Sequence, residues 1–199
     1  MQTPRQKEIV DAALNIISEK GIQRLTIKNI SKEIGVTEPA IYRHYNSKID
    51  ILVAIMDVFK QNTEVLFQEI FREELSAMDK INALFTRHFE SFANAPSLVT
   101  VIFSEEMFRA ESALAQKVSE IISNNYKIVV SIIEEGQKNN EIRDDVKADH
   151  IAIMIMGSLR LFIKKWQFAG YAYDIQKEGT KLIQSIRILI FKGIYYENH

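Results

Sequence analysis

The sequence predicts an all-α protein of about nine helices: three short ones, a long connector and a bundle of longer ones. Three observations carry this. No segment shows the sustained period-two alternation, bounded by turn residues, that a strand requires. Only three prolines and seven glycines occur in 199 residues, and nearly all the glycines fall where a helix should stop. Between those stops, apolar residues recur at helical spacing.

The first helix opens at Thr3, with Pro4 at the first helical position and Gln6 three residues after the threonine. This joins a capping box to the preferred place for proline. Ile9, Ala13, Ile16 and Ile17 form its apolar face, widened by Val10 and Leu14, and Gly21 supplies the left-handed stop. A second, short helix starts from Thr26, turns Ile27, Ile30 and Ile34 inward and ends at Gly35. The third runs from Thr37 to about His44. Pro39 falls in its first turn, where the missing N–H has no intrahelical partner in any case. "SKID", Ser47 to Asp50, is another capping box. From Lys48 to Phe71, the residues Leu52, Ile55, Val58 or Phe59, Leu66 and Ile70 mark one long helix. Further helices are expected at about 79–93, 97–108, 112–138, 146–168 and 175–194. Asn94-Ala95-Pro96, Gly136 with Asn139-Asn140, and Gly170 mark the turns between them.

Composition narrows the chemistry. With 47% apolar and 26% charged residues the chain is an ordinary globular one. The absence of cysteine excludes disulfides, thiolate metal sites and thiol nucleophiles. The four histidines (His44, His88, His150, His199) have no metal-ligand spacing, and no nucleophile elbow, glycine-rich phosphate loop or H-E-x-x-H is present. No cofactor, metal or catalytic residue is therefore expected. The N-terminus carries charges where a signal peptide would be apolar. The most apolar run, "IAIMIMGSL", falls far short of the ~20 residues of a membrane span. The expectation is a cytoplasmic protein with no membrane partner.

The stretch "IGVTEPAIYRHYNSK" points to the function. Two short helices joined by a tight glycine-containing turn, the second bearing exposed polar side chains, form a helix-turn-helix. Ile30, Ile34, Val36, Ile41 and Tyr45 can build its small core, with Leu14 and Ile17 behind. Thr37, Glu38, Ala40, Tyr42, Arg43 and His44 are left facing outward. A recognition helix enters the major groove N-terminus first, so its early residues reach base edges and flanking ones reach phosphates. Glu38 could accept from a cytosine amino group or stabilise the helix N-terminus by its charge. His44 suits packing or a phosphate better than a base. The next helix, with Lys48 at its start, offers a phosphate site. Charge agrees: residues 1–48 hold eight Lys/Arg against five Asp/Glu, a net of +3, and residues 49–199 a net of −4. The implied partner is double-stranded DNA.

"TIKNISKEIGVTEPAIYRHYNSKIDIL", Thr26 to Leu52, resembles the N-terminal signature of TetR-family transcriptional regulators. The family's Gly-Val-Ser/Thr turn is here Gly35-Val36-Thr37. Its aromatic run is Ile41-Tyr42-Arg43-His44-Tyr45, followed by Lys48 to Leu52. Ile49 departs from the acidic residue common after the lysine, which removes some helix-dipole support. The resemblance implies a homodimeric repressor that reads a palindromic operator and loosens its grip when a small molecule binds the C-terminal domain. By position, it makes Tyr42 and Lys48 phosphate contacts and sets Thr26 near a phosphate. Thr37 falls at the groove edge, and Glu38, Pro39, Ala40 and Arg43 become the readers of sequence. Residues 1–48 are thus the DNA-binding domain and 49–199 the ligand-binding and dimerisation domain.

Two further sets follow. Phe85, His88, Phe89, Phe92, Phe103, Met107 and Phe108 crowd one stretch, and Tyr126, Met154, Phe162 and Trp166 are candidates to face them. As a set they suit a largely apolar effector pocket, with His88 and Trp166 as polar handles. Singly, such side chains are usually core residues. The helix "HIAIMIMGSLRLFIKKW" is apolar around most of its girth, so it is expected to be covered on two sides. Ile151, Ile155, Gly157 and Ser158, with Leu182, Ile183, Ile186, Leu189 and Ile190 of the last helix, are the expected dimer interface. A helical ligand-binding or protein-interaction module without specific DNA binding, and a helical enzyme using the aromatic pocket, are the competing readings.

Overall fold

The computed structural model describes residues 2–72, 74–104 and 111–192. The expected helices near 97–108 and 175–194 lie partly outside those residues. Among the described residues the helices are α1 (Pro4–Lys20), α2 (Ile27–Glu33), α3 (Glu38–Tyr42), α4 (Lys48–Arg72) and α5 (Ala77–Asn94). They continue with α6 (Pro96–Ile102), α7 (Ser112–Lys138), α8 (Ala148–Phe168) and α9 (Ile175–Ile190). A single 3-10 turn, Ile22–Arg24, links α1 to α2.

The chain folds into two compact units: residues 1–62 with 95–121, and residues 63–94 with 122–199. The first holds α1, α2, α3, α6 and the leading stretches of α4 and α7. The Thr3 box forms as the sequence implies: the Gln6 N–H donates to Thr3 Oγ1 at 3.3 Å, and the Thr3 N–H to Gln6 Oε1 at 2.9 Å. Ile9, Ala13, Ile16 and Ile17 are buried, as are Ile30 on α2 and Ile41 on α3. Leu14, Ile34 and Val36 are only partly covered. Helix α1 packs on α2 and also on α6, so this unit reaches well beyond the helix-turn-helix. Lys117 of α7 binds Asp57 of α4 at 2.8 Å, and Lys60 of α4 binds Glu120 of α7 at 2.6 Å.

The second unit is centred on α5, which packs along α9. Gly179 of α9 permits this: a Cβ there would collide with the Phe89 ring. Lys80, almost fully buried, is neutralised by both carboxylate oxygens of Glu135 at 2.8 Å. Helix α9 ends at Ile190, short of 194. Phe191 turns extended, with φ −66° and ψ 136°, and bridges antiparallel to Ile142. The Arg143 N–H donates to the Ile190 carbonyl at 2.9 Å and the Lys192 N–H to the Glu141 carbonyl at 3.1 Å. The local backbone exchanges helical bonds for these pairs, a long-range choice that periodicity cannot register.

Candidate nucleic-acid interface and effector unit

Helix α3 is short, and its burial divides sharply. Ile41 is fully buried and Tyr45 nearly so, whereas Tyr42 between them is 50% exposed. Thr37, Pro39, Arg43 and Lys48 are also exposed; Glu38, Ala40 and His44 are partly covered. The outward set read from the sequence is therefore exposed or partly covered along α3 and the turn after it; the helix itself stops at Tyr42, short of the expected His44. Thr37 occupies the N-cap, but its hydroxyl makes no capping bond, unlike Thr26, whose Oγ1 accepts the Asn29 N–H at 3.1 Å. Thr37 thus presents its hydroxyl to the surface. Among the described residues Arg43 has no carboxylate partner, so its guanidinium is available for another acceptor.

The start of α4 is built a little differently from the expected box. The Asp50 N–H donates to Ser47 Oγ at 3.2 Å, but the Asp50 carboxylate reaches back to the Asn46 N–H at 2.9 Å. The first-turn amides of Lys48 and Ile49 have no intrahelical acceptor, and with the helix dipole they favour an anion there.

The effector set is brought together in part. Phe89 sits at the centre, its ring 6.4 Å from Phe85 and 5.6 Å, edge-on, from Phe162 of α8. His88 lies 6.2 Å from Phe92 on the same helix. Its Nδ1–H donates to the Leu84 carbonyl at 2.8 Å, and burial holds the imidazole below its ordinary pKa against that bond. Near neutral pH the ring is therefore uncharged, with Nε2 as its acceptor. The Trp166 indole N–H donates to the Tyr173 carbonyl at 2.8 Å, so it fixes the α8–α9 turn and is no free handle. Two residues depart from the expected lining. Met154 is 54% exposed, and the Tyr126 hydroxyl donates to Asp149 at 3.0 Å instead of facing the phenylalanines. Phe103 is buried in the first unit. Met107 and Phe108 lie outside the described residues.

The expected dimer set is divided by burial. Ile151, Ile155, Ile183, Ile186 and Ile190 are buried within the chain's own fold, which leaves them little surface to offer a twin. Gly157 and Leu189 are exposed; Ser158 and Leu182 are partly covered, with Ser158 Oγ donating to the Met154 carbonyl at 2.7 Å. The outward apolar residues are instead Ile153, Met154, Leu161 and Phe168 on α8 with Ile188 and Leu189 on α9. Met154, Gly157, Leu161 and Phe168 follow one another at heptad-like spacing, a single stripe on one helix face.

Comparison with known proteins bears on both units. The model of bacterial regulatory proteins of the tetR family matches residues 9–55, and that of the C-terminal region of YsiA-like proteins matches residues 57–193. The chain belongs to the TetR family. It is accordingly a DNA-binding transcriptional repressor that responds to a ligand. The fatty acid metabolism regulator protein of Bacillus subtilis is 26% identical over 192 residues, covering 96% of each chain. The crystal structure of the regulator FadR from Bacillus subtilis in complex with stearoyl-CoA superposes with a TM-score of 0.77 at 26% identity, covering 95% of this chain and 99% of that one. FadR from Bacillus halodurans shares the fold, with a TM-score of 0.79 at 22% identity over 95% of each chain. No described helix of this TetR-family protein is long and apolar enough to cross a membrane.

Proposed function

We propose that this TetR-family protein is a homodimeric repressor that grips a palindromic operator and is released by a largely apolar effector of the long-chain acyl-CoA class. The observation that carries the DNA half is the burial split across α3 and the turn after it, Ile41 and Tyr45 inward with Tyr42 and Arg43 outward. Tyr42, Lys48 and Thr26 hold phosphates, Thr37 lies at the groove edge, and Glu38, Pro39, Ala40 and Arg43 read bases, with residues 1–48 as the DNA-binding domain. The effector half is supported by the Phe85–Phe89–Phe162 cluster and by the stearoyl-CoA bound to the relative. Effector and operator are linked through a population shift: the acyl chain prefers one arrangement of the helices, and that arrangement holds the two reading heads off register. Symmetry sets the register at ~34–36 Å between recognition helices, or a larger spacing fixed by the helical repeat.

The test is to incubate the protein with fragmented genomic DNA of its source at about 150 mM salt and sequence what it retains. A few intergenic fragments sharing a palindrome are expected, and stearoyl-CoA, but not free CoA, should release them. Uniform recovery would leave a helical module without specific DNA binding. Retention indifferent to stearoyl-CoA would remove the acyl effector alone.

Two variants extend the test. Lys48→Ala should weaken binding to every sequence alike and lower the salt slope by about one per protomer, measured by fluorescence anisotropy across a salt series. Ile188→Asp places a charge among the outward apolar residues of α9, where a twin would bury it. Sedimentation should show a dimer for the parent chain and a monomer for the variant, with operator affinity falling accordingly.

A further inference from the structure

Beside the helix-turn-helix, in the same unit, lies a surface cleft that the reading above does not use. It has a volume of about 360 Å³ and is lined by Lys20, Arg24, Asn29, Lys32 and Glu33. Its charge is unbalanced. Three cations face one carboxylate, and the pairing is loose: Lys20 stands 3.7 Å from Glu33 and 3.9 Å from Glu19. Among the described residues Arg24 and Lys32 have no carboxylate partner. Lys60, Lys80 and Lys117, by contrast, each lie within 2.8 Å of one.

The cleft is also built. Gly21, at φ +79°, lets the chain double back after α1, and the Arg24 N–H returns to the Gly21 carbonyl at 3.0 Å. The Asn29 side-chain amide donates to the Arg24 carbonyl at 2.7 Å, which ties the turn to the first turn of α2. Arg24 is thereby held next to Thr26, the start of α2, and Asn29 keeps a second amide hydrogen to offer. A concave group of cations with a neutral donor, adjoining the helix start that the reading above sets at a phosphate, matches a backbone phosphate.

We propose that this cleft takes a backbone phosphate of the DNA flanking each half-site, so that the footprint extends past the recognition helix. The inference rests on the DNA-binding reading above. Its recognition is independent of sequence: Lys20, Arg24 and Lys32 supply charge and Asn29 a directed hydrogen bond, while Glu33 limits the strength.

The experiment compares two duplexes, one trimmed to the palindrome and one extended by about one helical turn on each side. Affinity is followed across a salt series for the parent chain, for Lys20→Gln/Arg24→Gln/Lys32→Gln, and for Glu33→Gln. The triple variant should lower the slope on the extended duplex by about two per dimer, one counterion per protomer, and leave the trimmed duplex unchanged. Glu33→Gln should tighten binding to the extended duplex only. If the triple variant leaves the extended slope unchanged while Lys48→Ala lowers it, the cleft proposal is overturned and the DNA reading stands. If Lys48→Ala changes nothing either, both fall. A cleft that titrates with inorganic phosphate, seen in the Asn29 amide signals, yet ignores duplex length would be a small-anion site and would also overturn the proposal.

Discussion

Phe89→Ala is expected to lower the unfolding free energy by about 3–5 kcal/mol, read from urea denaturation followed by circular dichroism. Phe89 is 1% exposed and meets Phe85, Phe162 and the backbone of α9 at Gly179, so truncation empties the centre of the second unit. Against a total stability of ~5–15 kcal/mol, that loss brings the chain close to unfolding. Gly179→Ala attacks the same contact from the other side. The added methyl must displace an aromatic ring already packed, at about 1–3 kcal/mol. The pair of variants separates two roles for the aromatic cluster. If it is core, both variants destabilise in the absence of any effector. If it is mainly effector lining, Phe89→Ala leaves stability within about 1 kcal/mol of the parent chain, and its defect appears only as weaker stabilisation by stearoyl-CoA.

What could be read from the sequence was local. The Thr3 box, the N-cap at Thr26 and the first-turn proline of α3 each depend on residues within one helical turn, and each helix start falls where those residues put it. The outward set of α3 was legible for the same reason: Ile41 and Tyr45, four apart, define one buried face, and Tyr42 and Arg43 then have nowhere to go but out.

The facing of α8 was not legible. When apolar residues circle a helix, periodicity says that it is covered but not which side its own chain covers. Ile151 and Ile155 took the inner side, leaving Ile153, Met154, Leu161 and Phe168 outward. Polar partners distant in sequence were equally hidden. Tyr126 with Asp149 is 23 residues apart, and nothing near either residue announces the pairing. The Lys80–Glu135 pair, 55 residues apart, is the same case: a buried lysine is visible only once its carboxylate has been brought to it. Gly179 carries no local signal of its role either: only the Phe89 ring against it explains a glycine inside a helix.

Arg43→Ala should cost about 1–3 kcal/mol per half-site on the cognate operator and relax the preference at one base pair. The argument is one of geometry and charge together. Arg43 caps the C-terminal end of α3, exposed, without a carboxylate among the described residues to hold it. A guanidinium in that position can present its planar fork to guanine O6 and N7, the commonest specific contact in the major groove. It could equally hold a phosphate, and the alanine variant alone does not separate these. Arg43→Lys does. It keeps the charge and loses the fork, so a phosphate contact would survive with its salt slope intact. A base contact would not: discrimination between the operator and its single-base variants should fall nearly as far as in Arg43→Ala, while affinity for scrambled DNA stays near that of the parent chain. Competition binding against a set of singly substituted operators reads both quantities at once. Loss confined to one position makes Arg43 a reader of sequence, and uniform loss rescued by lysine makes it a phosphate anchor, leaving Glu38, Pro39 and Ala40 as the residues that choose the operator.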